Sequence, residues 1–350
     1  MATRLIPVLA LAISALASSA MAERLRLASY NTELGRDGPG LLLRDITRGK
    51  DKQIKAVIDV IRQSAPDVLV LQDFDHDLQG HALAAFQTAL AQAGHPMPYS
   101  FAIRPNAGLP TGLDLDGDGQ RGTARDSQGY GNFTGAGGMA VLSRLPLGPA
   151  RDFSQFLWRD LPGANLPTHP DGNPFPSAEA QAIQRLSSVA HWQVPVILPD
   201  GQTLDLLTWH GSTPAFDGPE DQNGKRGGDE TRFWIRLLEG ALPFPAPTTP
   251  FVVIGQANID PEDGDGDHDA IRALIRHPRL TDRAPTGAEG TDTADWSGIG
   301  VGKLRASYIL PWTDAHVLDT GVFWPEPDDG MAVTATTASR HHLIWVDLNF

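Results

Sequence analysis

The stretch FVVIGQAN, residues 251–258, runs four apolar residues into a glycine and then delivers two amides, Gln256 and Asn258. A short apolar run rich in β-branched and aromatic residues suits a buried strand, and the polar residues that follow mark its end. Three other stretches repeat the design: LRLASYN ends at Asn31, LDLLTWH ends at His210, and SRHH at 339–342 opens the run LIWVDL. Strand ends are where a sheet presents side chains to a shared cleft, so two Asn and two His carried in this way are expected to converge on one polar site. Singly, an Asn after a strand is an ordinary turn former and a His an ordinary surface or core residue. The ordered set is what points to function.

Outward from these strands, Ile54, Val57, Ile58 and Ile61 form a helical stripe that stops before Pro66 and leads into DVLVLQ, a buried-strand pattern. Leu83, Phe86 and Leu90 mark a second helix, closed by Pro96 and Pro98 ahead of a strand at SFAI. Residues 105–137 are rich in Gly, Asp and Asn with little periodicity and read as an ordered insertion or a mobile loop; GMAVLSRLPL then resumes the sheet. SSVAHWQVPVIL, a turn at Asp200-Gly201 and LDLLTWH read as an antiparallel hairpin. A polar loop from Gly211 to Gly228 precedes a helix from Asp229, and a further helix is expected over Asp269–Arg276. A loop fills most of 280–303, and ASYIL, TGVFW and HLIWVDLNF complete the strands. Mixed strands with interspersed helices predict an α/β fold of four layers, α/β/β/α, with two packed mixed sheets flanked by helices.

The first 22 residues read as a secretory signal peptide: Arg4 gives the positive start, residues 5–17 are mostly apolar, and Ala20-Met21-Ala22 fits a small-x-small cleavage site. The apolar run is shorter than the roughly 20 residues a spanning helix needs, so a secreted or periplasmic, monomeric protein with no membrane span is expected, its domain covering 23–350. The formal charge of 28 − 42 = −14 becomes −15 once Arg4 is removed, which disfavours non-specific binding to nucleic acid or anionic lipid unless a basic patch or bound cations offset it. The absence of Cys excludes disulfides and thiolate chemistry.

The motif order resembles the endonuclease/exonuclease/phosphatase family of metal-dependent phosphodiesterases, from about Leu25 to Phe350. YNTE at 30–33 looks like the family's first motif and DVLVLQD at 67–73 like its second. GMAVLSRLPL is similar to the central strand pair, TWH to the segment carrying a phosphate-contacting His, GQAN to Gly-Asp-x-Asn, and SYIL and SRHH to the last two motifs. The resemblance implies hydrolysis of a phosphate ester, in nucleic acid or a small phosphodiester, with Mg²⁺ or Mn²⁺ held by oxygen ligands. It implies catalytic roles for His210, Asn258 and His341, substrate contacts from Asn31, and Asp73 as metal ligand.

The departures from the pattern concern acids. Asp73 stands at a metal-binding Glu position and is one methylene shorter. Gln256 replaces the water-activating Asp and cannot accept a proton near neutral pH. Ser307 replaces the Asp that pairs with the final His, and Arg340 the Asp of Ser-Asp-His. Arg340 either binds a phosphate oxygen through its guanidinium fork or points to solvent. Asp75, His76 and Asp77 either restore metal affinity or form a polar loop.

Two Asp-rich loops stand apart. In DLDGDGQRGTARD at 114–126, Asp114, Asp116 and Asp118 alternate before Gly119, as at the start of a calcium loop of EF-hand type, but position 12 is Arg125 unless Asp126 closes it with a one-residue shift. Ca²⁺ binding and a solvated acidic turn are both compatible with it. Asp263, Asp265 and Asp267 repeat the alternation with His268 at the sixth position. Three functions follow: a phosphoesterase, a catalytically inactive relative that binds a phosphorylated ligand, or a calcium-dependent extracellular binding module.

Overall fold

The computed structural model, which describes residues 24–248 and 250–350, gathers the apolar runs into two large sheets; the expected leader at 1–22 lies outside the described residues. The first sheet contains β1 (Arg24–Leu34), β2 (Val68–Phe74), β3 (Tyr99–Phe101), β4 (Met139–Ser143), β12 (Val317–Val322) and β13 (Ile344–Asn349). Its order is β12-β13-β1-β2-β4-β3. The second contains β5 (Arg151–Asp152), β6 (Ala190–Ile197), β7 (Thr203–His210), β8 (Phe251–Gln256) and β11 (Ser307–Pro311), in the order β11-β8-β7-β6-β5. Only β1/β2 and β7/β8 pair in parallel within these sheets. A small ribbon, β9 (Ala294–Asp295) with β10 (Lys303–Leu304), interrupts the expected 280–303 loop.

Period-2 alternation decides what each sheet buries. Leu25 and Leu27 of β1, Val68 and Val70 of β2, Trp192 and Val194 of β6, Leu204 and Leu206 of β7, and Val252 and Ile254 of β8 meet in one inter-sheet core. The alternate residues face outward. Ala28, Tyr30, Leu69 and Leu71 pack under α1 (Leu41–Arg48), α2 (Lys52–Ser64) and α3 (His81–Gln92). Leu207, Trp209, Val253 and Tyr308 pack under α5 (Gln222–Leu238) and α6 (His268–Ile275), while α4 (Ala178–Ile183) lies in the connection from β5 to β6. α7 (Ala332–Ala338) leans on α2. The expected α/β/β/α order of layers is what forms.

Asp51 caps α2 by accepting from the Ile54 amide at 2.9 Å. Ile54, Val57 and Ile61 are buried as their spacing predicts, but Val60 takes the inner place given to Ile58, which lies half-buried on the flank. The larger correction concerns α5, which starts at Gln222 rather than near Asp229 and so carries Gly224, Gly227 and Gly228 inside its first turns. Glycine is a poor helix former, which is why the sequence reads as loop there. Close packing explains it: a β-carbon on Gly228 would lie 2.8 Å from that of Asp267, and one on Gly227 3.1 Å from the Ser212 carbonyl oxygen.

Trp192 is fully buried in the inter-sheet core and meets Phe101 edge-on, with ring centroids 5.0 Å apart. Trp192→Ala should cost about 3–5 kcal/mol of unfolding free energy in urea titration. A loss below roughly 1 kcal/mol would mean that the two sheets are not held by close packing.

Candidate functional site

The inter-sheet core turns polar at one end. Continuing along the inward-facing positions, β1 passes from Leu27 to Ser29 and Asn31, and β2 from Val70 to Gln72. On the other sheet, β7 passes from Leu206 to Thr208 and His210, β8 from Ile254 to Gln256, and β11 back from Ile309 to Ser307. All of these polar residues are buried except His210, which is intermediate. The ladder sets His210 opposite Gln256 and Gln256 opposite Ser307, one strand spacing of about 4.8 Å apart. In the facing sheet Asn31 sits opposite Gln72. His341 approaches three residues before β13 and is tied to the small ribbon through Ala294.

Several polar atoms here lack protein partners. Among the described residues, Nδ1 of His210, Nδ1 of His341, Oε1 of Gln256, Oε1 of Gln72 and Oγ1 of Thr208 are buried without a hydrogen bond. Buried polar atoms are normally satisfied, so a cluster of exceptions marks a place built for a ligand or water. Burial pushes the His210 imidazole down to about 4 and His341 down to about 3, and a charge on His210 would further disfavour one on His341. Both rings are neutral at neutral pH. Each therefore offers one donor and one acceptor nitrogen.

Near His341 lies the carboxylate of Glu33, and near Glu33 that of Asp73. Both residues have left-handed backbone, φ 48° and 51°, as does Asn258 at φ 57°. Non-glycine residues in this region are uncommon and tend to gather where a site requires a side chain to be aimed. The Asp73 carboxylate fits between Gly35 and Gly137, where β-carbons would approach Oδ1 to 2.7 and 2.9 Å. Its pKa is raised to about 6 by burial and by the neighbouring charges of Glu33 and Asp75. Glu33 is held below the usual carboxylate range by the Arg340 guanidinium, despite partial burial. Arg340 donates from Nε to Glu33 at 2.7 Å and from its backbone amide at 2.8 Å, and its Nη2 closes the pair. The Arg340 side chain is nonetheless 56% exposed.

Asn258 is fixed from two sides: its Nδ2 donates to the Gly211 carbonyl at 2.8 Å, and its Oδ1 accepts from Gln256. The Gly211 and His210 carbonyls are in turn positioned from α5. Glu230, fully buried, accepts from the Ser188 and Ser212 amides, both at 2.6 Å, and from the Ser188 hydroxyl at 2.7 Å. That hydroxyl also reaches the His210 carbonyl at 3.4 Å. One turn earlier, buried Arg226 donates to the carbonyls of Leu186, Arg185 and Ser187. Neither residue stood out in the sequence, because Arg226 falls in the stretch that reads as loop; its i, i+4 spacing to Glu230 shows only once the helix is extended back to Gln222.

The sequence matches the endonuclease/exonuclease/phosphatase family over residues 28–341. The chain belongs to this family. Among solved structures it is similar to an endonuclease/exonuclease/phosphatase from Beutenbergia cavernae, at 20% identity and a TM-score of 0.57 over 93% of this chain and 72% of that one. It is similar also to sphingomyelinase C from Streptomyces griseocarneus, at 15% identity and a TM-score of 0.52 over 93% of this chain and 100% of that one. A mannosyl-6-phosphatase from Bacteroides thetaiotaomicron gives 15% identity and a TM-score of 0.51 over the same shares. No curated protein matches the chain.

The family generally depends on a divalent metal, and the donors here suit one: Asp73 and Glu33 are hard oxygen ligands, and the raised pKa of Asp73 marks a place short of positive charge. Arg340 competes for Glu33. Two of the alternative ligands, Asp75 and Asp77, are committed elsewhere. Asp75 accepts from the Gly137 and Arg36 amides, each at 2.9 Å, and Asp77 caps α3 through the His81 and Ala82 amides. The His76 backbone amide donates to the Gly135 carbonyl at 2.8 Å, a bond that does not engage its ring.

In the insertion between β3 and β4, Asp114, Asp116 and Asp118 bring carboxylate oxygens within 4.8 Å of one another. Asp126 does not close that loop as a shifted twelfth ligand, because its oxygens bind the Leu115 amide at 2.9 Å and the Thr123 amide and hydroxyl at 2.8 Å. Arg125 instead approaches Asp116 at 3.9 Å. In the other Asp-rich loop, Asp267 caps α6 and pairs with Arg232 at 2.8 Å, so it is spent on structure.

The neutral histidines give the fold a pH signature. Below the usual 6.5 the unfolded chain takes protons that folded His210 and His341 refuse, so these groups withdraw stability as pH falls toward 4. Asp73 works in the opposite sense between 3.8 and about 6, where the folded state holds the extra proton. His341→Gln should therefore lose less stability than the natural protein between pH 7 and 4.5, measured by urea unfolding at both values. Equal losses would show that His341 accepts its proton while still folded.

Proposed function

We propose that the protein is a divalent-metal-dependent phosphoesterase acting on a phosphodiester, in nucleic acid or a small molecule, outside the cytoplasm. The observation that carries this reading is the set of unpartnered donors and acceptors on His210, His341 and Gln256 beside the carboxylates of Glu33 and Asp73. Two of the similar structures, a sphingomyelinase and a sugar phosphatase, bear the names of enzymes acting on phosphate esters, which supports the substrate class. Export rests on the signal-peptide pattern of residues 1–22.

Asp73 and Glu33, with Asn31 beside them, would hold Mg²⁺ or Mn²⁺, which when bound neutralises phosphoryl oxygens. The Asn258 amide and the His210 ring are placed to hydrogen-bond the phosphoryl oxygens as negative charge grows on them. Arg340, half-exposed, can turn its free edge to the same group while keeping Glu33. Water must give up a proton, and Gln256 cannot take it. Neutral His341, with its Nδ1 unpaired, is the remaining acceptor, but its low pKa makes it a weak base. Slow turnover follows. The loss of acids at Gln256, Ser307 and Arg340 favours a second reading, a non-catalytic member that binds a phosphorylated ligand.

Activity on bis-p-nitrophenyl phosphate, plasmid DNA and sphingomyelin with Mg²⁺, Mn²⁺ or Ca²⁺ separates the two readings. His341→Ala should abolish what turnover exists, and Gln256→Asp with Ser307→Asp should raise it by about 10²–10⁴-fold, the usual contribution of a general base. Either change alone should do less, and adding Arg340→Asp tests whether the guanidinium blocks the metal. A folded, Mg²⁺-binding triple variant that cleaves nothing would refute the catalytic reading.

The Asp114–Asp118 cluster supports a structural Ca²⁺ site. Millimolar Ca²⁺ should then raise Tm and chelator lower it, with no response in Asp116→Ala. Identical melting of the natural protein in both conditions would leave the loop a solvated turn.

A further inference from the structure

A recess of about 240 Å³ is lined by Ser339, Arg340 and His342, the chain neighbours of His341. Its walls come from Trp296 and Ile299 on the loop between β9 and β10 and from Trp324 beyond β12, and its rim from Thr336, Ser339 and Arg340. Arg340, which lines the recess, bonds Glu33 of the candidate site, and Trp296, which also lines it, packs against the His341 ring, so the recess borders the candidate phosphate site on one flank.

The recess is held in shape rather than left loose. The Asp295 amide donates to the Arg340 carbonyl at 2.9 Å and the His342 amide to the Thr293 carbonyl at 2.8 Å, so the Trp296 loop is stitched to the His341 segment as a ribbon. Trp296 stands perpendicular to the His341 ring, with centroids 5.0 Å apart. Trp324 is locked by stacking on buried His342, with centroids 3.8 Å apart and planes within 12°. Ile299 remains 65% exposed although it is a large aliphatic side chain, which leaves an apolar wall with nothing in the described chain to cover it.

Two fixed indoles and an exposed isoleucine beside a phosphate site select for a flat apolar group joined to that phosphate. The volume sets the size. It falls below the roughly 300–1,000 Å³ of sites for drug-sized ligands, so one ring system fits and a longer segment does not. We propose that this recess is the subsite for the group esterified to the phosphate and that it takes a planar aromatic ring. The proposal rests on the phosphoesterase reading for the placement of the phosphate, and gives that reading a substrate class: aryl or nucleoside phosphate esters rather than alkyl ones.

The test is calorimetric titration of the full protein, in Mg²⁺, with the non-hydrolysable probes phenylphosphonate and ethylphosphonate. The phenyl probe should bind about 5- to 100-fold more tightly, the range that one stacked ring contributes. Trp296→Ala should erase most of that preference while leaving the ethyl probe nearly unchanged. Ile299→Asp, at an exposed position that does not endanger folding, should do the same by placing a charge on the apolar wall. A nucleoside 5′-phosphonate binding more tightly than phenylphosphonate identifies the ring as a nucleobase; the reverse order identifies a simple aryl group, and either supports the proposal. Equal affinity for phenyl and ethyl probes overturns the aromatic subsite and leaves the phosphate site standing. Failure of every phosphonate to bind overturns the phosphate site, and the subsite falls with it.

Discussion

Both the stability and the chemistry of this chain depend on where the shared interior of two sheets stops being apolar. Inward-facing residues alternate with outward ones at a strict period of two, so a strand cannot pass from core to site gradually; it changes character at one residue. On β1 that residue is Ser29, on β2 Gln72, on β7 Thr208 and on β8 Gln256. The change comes one inward-facing step earlier on β1 and β7, where Ser29 lies opposite Val70 and Thr208 opposite Ile254, and at the next step Asn31 meets Gln72 and His210 meets Gln256, so a polar floor forms. A one-residue slip of any of these strands would bury its polar side chain under a helix and remove it from the cleft.

The electrostatics of that floor differ from those of an acid-lined site. The Gln256 amide nitrogen donates to Asn258 while its Oε1 stays unpartnered, the Ser307 backbone amide donates to the Thr293 hydroxyl, and both histidines stay uncharged. Negative charge comes from Glu33 and Asp73, with Asp75 next to Asp73, and Arg340 answers that of Glu33. Such a floor carries fewer carboxylates than an acid-lined one would. It also has little with which to deprotonate water.

Much of this was legible in the sequence, and the failures have physical causes. The strands could be read because runs such as DVLVLQ and FVVIG bury both faces, leaving no ambiguity of period. Their terminal residues could be read as a set because strand ends share a level. Glu33 could not, since its role depends on a left-handed backbone that turns it toward Arg340, more than three hundred residues away in the chain. The first half of α5 was hidden by glycines whose purpose is to admit Ser212 and Asp267, a tertiary reason with no local signature. α7, with four β-branched residues among seven, is a weak helix held by α2 and likewise carries no strong periodic mark.

The glycines of α5 have an energetic consequence. Each makes the helical state about 1 kcal/mol less favourable than alanine would, so the segment from Gln222 to Gly228 has little tendency to coil before its partners arrive. It must await the strands that bring Ser212 and Asp267 into place, so its helical state depends on tertiary packing rather than on local propensity. Arg226 lies within that segment and Glu230 just beyond it, and together they hold the carbonyls behind His210 and Asn258. The site's shape at His210 and Asn258 is thus set by a helix that only the assembled sheets can hold in place.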